Sequence, residues 1–125
     1  FKEKYGMGLT FYADTARTEH VSNFQDHHIK TVYGYKNVLD GVEKVAGIIK
    51  QHRFYVVKGA APNFINEIYQ YIWDEKTGAP VKEHDHAQDA VRYCIATPLW
   101  RAEQAKKQNT NRQRSTHYLN DLGLI

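Results

Sequence analysis

The sequence predicts an α/β domain built on parallel strands. Short apolar runs at residues 9–13, 29–33 and 54–57 have the length of strands. Stretches with helical apolar spacing follow each of them. Strand and helix repeated three times is the pattern that crossover connections fold into a parallel sheet.

Taken in order, residues 1–8 are charged and end in Gly6-Met7-Gly8, which reads as the close of a helix and its turn. Residues 9–13 (Leu-Thr-Phe-Tyr-Ala) form the first strand. Thr15-Ala16-Arg17-Thr18-Glu19 starts a helix with Val21 and Phe24 on one side. Residues 29–33 (Ile-Lys-Thr-Val-Tyr) form the second strand, and 34–37 a turn. From Asn37, the spacing of Val38, Val42, Val45 and Ile49 lays an apolar stripe along a helix that ends near His52. Residues 54–57 are apolar throughout, as expected of a third strand covered on both faces. Pro62 suits the first turn of a helix whose Phe64, Ile65, Ile68 and Tyr71 face inward. Residues 72–81 read as a hairpin or loop with Gly78 at its turn.

Asp85 opens the last helix as its N-cap, and Gln88 completes a capping-box pattern. Ala87, Ala90, Val91, Cys94 and Ile95 recur at helical spacing, which makes Cys94 a core residue. This helix is expected to end at residues 97–98, where Pro98 stands. Residues 1–100 then form the folded domain and 101–125 a basic, polar tail, helical at first and otherwise solvated or disordered. Residues 118–125 are apolar enough to dock on a surface.

Composition excludes several classes. No apolar run approaches the length of a membrane span. One cysteine rules out an internal disulfide, no secretory signal is visible, and an intracellular location is the expectation. A net charge of +3 and a pI near 8.9 are compatible with a nucleic-acid partner without identifying one. There is no Gly-rich phosphate loop and no Gly-x-Ser-x-Gly elbow, so ATP hydrolysis and serine catalysis find no support. The first residue is Phe1, not Met, so the chain reads as part of something longer.

Asp14 follows the first strand, and carboxylates at strand ends are where α/β proteins place ligand sites. It could equally cap the next helix or pair with Arg17. His86 and Asp89 are three apart and project from one face of the last helix's first turn. Asp89 is a hard oxygen ligand suited to Mg²⁺ or Mn²⁺, or else a partner for Arg92. A neutral His86 could orient a water or move a proton. His84 and His86 also match a His-x-His zinc pair, though no third ligand has convincing spacing. His27-His28 read as a solvated helix end. Lys36 could reach a phosphate.

Three stretches together resemble a known family. They are Phe11-Tyr12-Ala13-Asp14-Thr15-Ala16-Arg17-Thr18-Glu19-His20, Asn66-Glu67-Ile68-Tyr69-Gln70-Tyr71-Ile72-Trp73 and Asp85-His86-Ala87-Gln88-Asp89-Ala90-Val91-Arg92-Tyr93. In this order they are similar to the C-terminal nuclease domain of the large terminase subunit of tailed bacteriophages or prophages, over residues 8–97. The resemblance implies a ribonuclease-H-like fold and two-metal cleavage of double-stranded DNA during genome packaging, with Mg²⁺ or Mn²⁺ as cofactor. It assigns the family's second acid to Asp14, the final acid to Asp89 and the nearby histidine to His86. The family's first acid lies on a strand of an N-terminal β-meander that has no counterpart before Leu9, so the metal site is expected to be incomplete and the isolated fragment poorly active. Implied partners are DNA, the small terminase subunit and the portal, in the cytoplasm of the bacterial host, with no membrane.

Lys36, Lys106, Lys107, Arg112 and Arg114 are the expected phosphate contacts. A non-catalytic DNA-binding or motor-docking module, in which the acids only cap helices, stays open as the alternative. Without the meander, strand 9–13 is expected to be a bare apolar edge that draws the fragment into a homodimer, or else borrows cover from its own tail at residues 118–125.

Overall fold

A computed structural model of the protein describes residues 2–6 and 8–124. What the sequence suggests for Phe1, Met7 and Ile125 lies outside the described residues. The elements are α1 (Lys2–Tyr5), β1 (Phe11–Ala13), α2 (Thr18–Asp26), β2 (Thr31–Tyr33), α3 (Val38–Lys50), α4 (Pro62–Gln70), β3 (Trp73–Asp74), β4 (Ala79–Pro80) and α5 (His86–Asp121).

The strands β1 and β2 pair in parallel, Phe11 opposite Thr31 and Ala13 opposite Tyr33, with α2 as their crossover. The ladder closes at the site end, where the Gly34 amide donates to the Ala13 carbonyl at 2.8 Å. A separate antiparallel hairpin, β3–β4, turns at Gly78, whose φ of 63° suits a residue without Cβ. Helix α3 begins where the Asn37 side chain accepts from the Asp40 amide at 3.0 Å, a regular N-cap. Pro62 stands at the start of α4.

The core lies where α5 crosses α3, α4 and β1. Three of its residues, Arg92, Ala96 and Thr97, are buried within two turns. Val21 of α2 and Phe64 of α4 complete the buried apolar set. Of the side chains expected inward, Phe24, Ile65, Ile68 and Ile49 remain partly exposed. The chain exposes 10095 Å², where a compact monomer of 14.5 kDa would expose about 6,900 Å². One source of the excess is an apolar groove of about 410 Å³ beside β1, lined by Phe11, Tyr12, Ala13, Phe24, Ile29 and Thr31.

Four expectations are corrected. Residues 54–57 do not form a strand: Phe54 and Val56 are half-buried, while Tyr55 and Val57 stand 84% and 75% exposed. The Phe54 ring packs at 5.6 Å from Phe64. Side-chain packing holds this stretch, and no strand among the described residues offers it a ladder.

The last helix does not end at Pro98 but runs on to Asp121, 36 residues in all from His86. A mid-helix proline forfeits one backbone hydrogen bond and costs about 3 kcal/mol. The contacts on both sides of it hold the helix together. The Tyr35 amide donates to Thr97 Oγ1 at 2.9 Å, the Tyr35 and Trp100 rings stack at 4.9 Å, and Lys44 binds Glu103 at 2.9 Å. The tail is therefore an ordered, solvated helix: residues 105–118 are all exposed. It closes where Leu124 N donates to the Leu119 carbonyl and Gly123, at φ 71°, donates to that of Asn120. That double bond is a Schellman ending.

Third, Cys94 is exposed, because its position turns away from α3 and α4 once the helix is rotated to bury Arg92 and Ala96. Fourth, the expected capping box is not used; the Asp85 side chain makes no cap bond.

Replacing Pro98 by Ala restores the missing amide and should raise stability by on the order of 1–3 kcal/mol. Chemical denaturation measures it; an unchanged or lower midpoint would mean that the proline fits a bend the packing needs.

Candidate metal centre and nucleic-acid cleft

Two chain segments with opposite roles build the site. The first is the end of β1. Beyond Ala13 the chain turns, and Asp14 Oδ1 accepts the Ala16 amide at 3.1 Å. This Asx-type turn sets the direction in which the carboxylate leaves the sheet. Beside it, β2 runs into Gly34, which is buried against Tyr93: a Cβ there would lie 2.5 Å from the ring. Only glycine lets the ring pack so near. Lys36 follows, exposed, just before the Asn37 cap.

The second segment is the start of α5. Its free amides are satisfied from another helix: Glu67 Oε2 of α4 accepts Ala87 N at 2.6 Å and Gln88 N at 3.1 Å. Gln88 Nε2 returns a bond to the Phe64 carbonyl at 2.9 Å. A carboxylate at a helix N-terminus also meets the positive end of the dipole. Helix α4 thus fixes the first turn of α5, where His86 and Asp89 stand. One turn on, Arg92 donates to Asp89 Oδ1 through Nε at 3.2 Å and Nη2 at 2.8 Å. Its Nη1 reaches the Tyr35 carbonyl at 3.4 Å, and the guanidinium lies 4.6 Å from the centre of the Tyr93 ring.

Between these segments opens a cleft of about 290 Å³. Asp14, Asp85 and Asp89 line it, together with Lys36, Lys82, Arg92, Tyr71 and Tyr93. Three carboxylates and three cations therefore share one hollow. Burial pushes the Tyr93 hydroxyl up, and the Asp14 and Asp89 carboxylates add to the shift against the opposing pull of Arg92. Tyr71 is raised first by burial and then by Asp89. Both hydroxyls stay protonated in neutral solution and can donate to an anion. Burial alone would lower the Arg92 guanidinium, but its bond to Asp89 outweighs this and raises it, so the charge is permanent.

The residues anticipated from sequence are distributed unevenly. Asp14, Asp89 and Lys36 line the cleft; His86 is exposed on the helix and is not among the lining residues. Lys106, Lys107, Arg112 and Arg114 lie on the exposed outer half of α5. His84 sits in a loop at φ 51° while His86 is helical, so the two do not alternate along a strand as a His-x-His zinc pair would. Sequence alone does not mark Asp85, Lys82, Tyr71 and Tyr93 as site residues: Asp85 reads only as a cap, and Lys82 as one lysine in a loop.

A family of known domains, the terminase RNaseH-like domain, matches residues 3–97. Two structures of the large terminase of a thermophilic bacteriophage are similar. One, in complex with ATP-gamma-S, is 28% identical, with a TM-score of 0.66 over 70% of this chain. The other is 28% identical, with a TM-score of 0.63 over 74%. The chain spans 23% of the length of each. No curated protein sequence matches it.

Replacing Glu67 by Ala should cost about 1 kcal/mol, the usual worth of an N-cap, and speed amide exchange at Ala87 and Gln88. Hydrogen exchange by NMR measures both; protection left intact would assign the capping elsewhere.

With a family match over residues 3–97, a parallel β1–β2 pair crossed by α5 and two large-terminase structures superposing on most of the chain, this protein belongs to the terminase RNaseH-like domain family.

Proposed function

We propose that this domain, as part of the intact protein, cuts double-stranded DNA with divalent cations during phage genome packaging, and that the isolated fragment is poorly active. The observation that carries the reading is the convergence of Asp14, from the end of β1, and Asp89, from the first turn of α5, on one cleft with Lys36 and Lys82 at hand. The donor chemistry fits Mg²⁺ or Mn²⁺: hard carboxylate oxygens, with no sulfur in the lining. Among the described residues no group of three or more potential ligands is close enough to cage an ion. Mg²⁺ keeps several waters and is commonly held by one or two carboxylates plus substrate phosphate.

Asp14 and Asp89 would hold the cations. When bound, a pair of such ions can activate a water and stabilise the leaving oxygen of a phosphodiester. Lys36 and Lys82 would neutralise phosphate oxygens, and the Tyr71 and Tyr93 hydroxyls would donate to them. His86, one turn before Asp89, would tune a nearby water and not anchor an ion. The outer half of α5 would add sequence-independent phosphate contacts through Lys106, Lys107, Arg112 and Arg114. In the packaging assembly the small terminase subunit and the portal are the protein partners this reading entails. No helix among the described residues is long and apolar enough to cross a membrane, and the bacterial cytoplasm is the proposed setting.

Two observations favour a second reading, a non-catalytic DNA-binding or docking module. Asp89 is already paired with Arg92, and Asp14 already serves a turn. Mn²⁺ binding that requires Asp14 and Asp89 together separates the two.

In the intact protein, Asp14→Asn should abolish Mn²⁺-dependent plasmid cleavage with little loss of folding; Asp89→Asn should abolish it too and also lower stability, because the buried Arg92 loses its carboxylate, and His86→Ala should slow cleavage more mildly. Full cleavage by Asp89→Asn would remove that residue from the mechanism.

Changing Lys106, Lys107, Arg112 and Arg114 to Gln should weaken DNA binding and reduce the salt slope by about 0.9 for each phosphate no longer neutralised. An unchanged slope would place the outer helix off the DNA and favour docking to a packaging protein.

A further inference from the structure

The geometry points to Arg92 as a positioning residue that dictates which oxygen of Asp89 a cation meets. This rests on the proposal that Asp89 is a cation ligand. The Nε and Nη2 groups of Arg92 both donate to the same atom, Asp89 Oδ1, at 3.2 and 2.8 Å. Among the described residues Oδ2 has no hydrogen-bond partner. One oxygen is committed to the fork and the other is left for the cleft that Asp89 lines.

Arg92 is itself held on several sides. Its residue is 4% exposed. Nη1 donates to the Tyr35 carbonyl, and the Tyr93 ring faces the guanidinium at 4.6 Å. Its stem rests on α3 at Gly41, where an added Cβ would lie 3.0 Å from both Cγ and Cδ. A side chain so confined cannot follow Asp89; Asp89 follows it. The result is a carboxylate limited to one-oxygen ligation in a set direction. A free aspartate can rotate and chelate with both oxygens, which holds an ion at least as tightly but in a different place. Lysine keeps the charge at position 92 and loses the fork.

The test combines Mn²⁺ binding to the chain, read by electron paramagnetic resonance, with plasmid cleavage by the intact protein at saturating Mn²⁺. Variants are Arg92→Lys, Arg92→Met, Gly41→Ala and Asp89→Asn, with folding checked by circular dichroism. For Arg92→Lys and Arg92→Met, Mn²⁺ affinity should stay within about threefold of wild type or tighten, while the maximal cleavage rate falls roughly tenfold to a hundredfold through misplacement of the ion. Gly41→Ala keeps the guanidinium but displaces its stem, and should shift the same way by less. A merely structural role would lower the active fraction and the number of Mn²⁺ sites in step, and that outcome overturns the proposal. So does a folded Arg92→Lys protein that cuts at the wild-type rate. If Asp89→Asn leaves Mn²⁺ binding unchanged, the ligand reading fails first. If Asp89→Asn loses Mn²⁺ while Arg92→Lys binds and cuts like wild type, the positioning role alone fails.

Discussion

A guanidinium with almost no contact with water has to have its charge answered inside the protein, and Arg92 is that group. The answer draws in four parts of the chain. Asp89 supplies the counter-charge, the Tyr35 carbonyl an acceptor, Tyr93 an aromatic face and Gly41 the space for the stem. Gly34 in turn makes room for Tyr93. Removing the charge's partner while leaving the charge would cost several kcal/mol, so these positions constrain one another. The same arrangement pins the loop between β2 and α3 to α5, and that loop carries Lys36 into the cleft.

The cleft's wall is therefore set by core packing on one side and by capping on the other. Glu67 ties α4 to the first turn of α5, and the Asx turn of Asp14 ties the end of β1 to the approach of α2. Acids and bases share the hollow, which suits a negatively charged group bridged by a cation. Farther out, Lys44 joins Asp40 of α3 to Glu103 of α5. Burial would raise the Asp40 carboxyl, but hydrogen bonds from Lys44 and the Tyr35 hydroxyl outweigh it and hold it low. A depressed carboxyl stabilises the fold above the usual carboxylate range, and the contribution fades as pH falls through the folded value. The clamp thus works at neutral pH, where it holds α5 to α3 just beyond Pro98.

Local patterns made much of this legible. The apolar stripe of α3, the Asn37 cap, Pro62 and Gly78 all act through near neighbours in sequence. The placement of Asp14 after a strand and of Asp89 in a helix's first turn follows from the same short-range signals. What escaped detection depends on remote partners. Glu67 caps a helix that begins nineteen residues later, and no local rule announces it. An apolar run such as 54–57 tells nothing about whether a second strand is there to pair with it. Pro98 normally ends a helix, yet here contacts from Tyr35 and Lys44, far back in the chain, outweigh its cost. Helices α2 and α3 end on His28 and His52 at φ 57° and 55°, where glycine is the expected signal.

In the proposed mechanism Asp14 and Asp89 hold a divalent cation in the cleft between β1 and α5. A crystal grown or soaked with Mn²⁺ and measured at the manganese absorption edge tests it most directly. An anomalous peak is expected in the cleft about 2.1 Å from a carboxylate oxygen of each residue, with the Asp89 contact made by Oδ2. Manganese bound elsewhere, or a cleft that stays without a peak at saturating Mn²⁺ while both carboxylates keep their present partners, would contradict it.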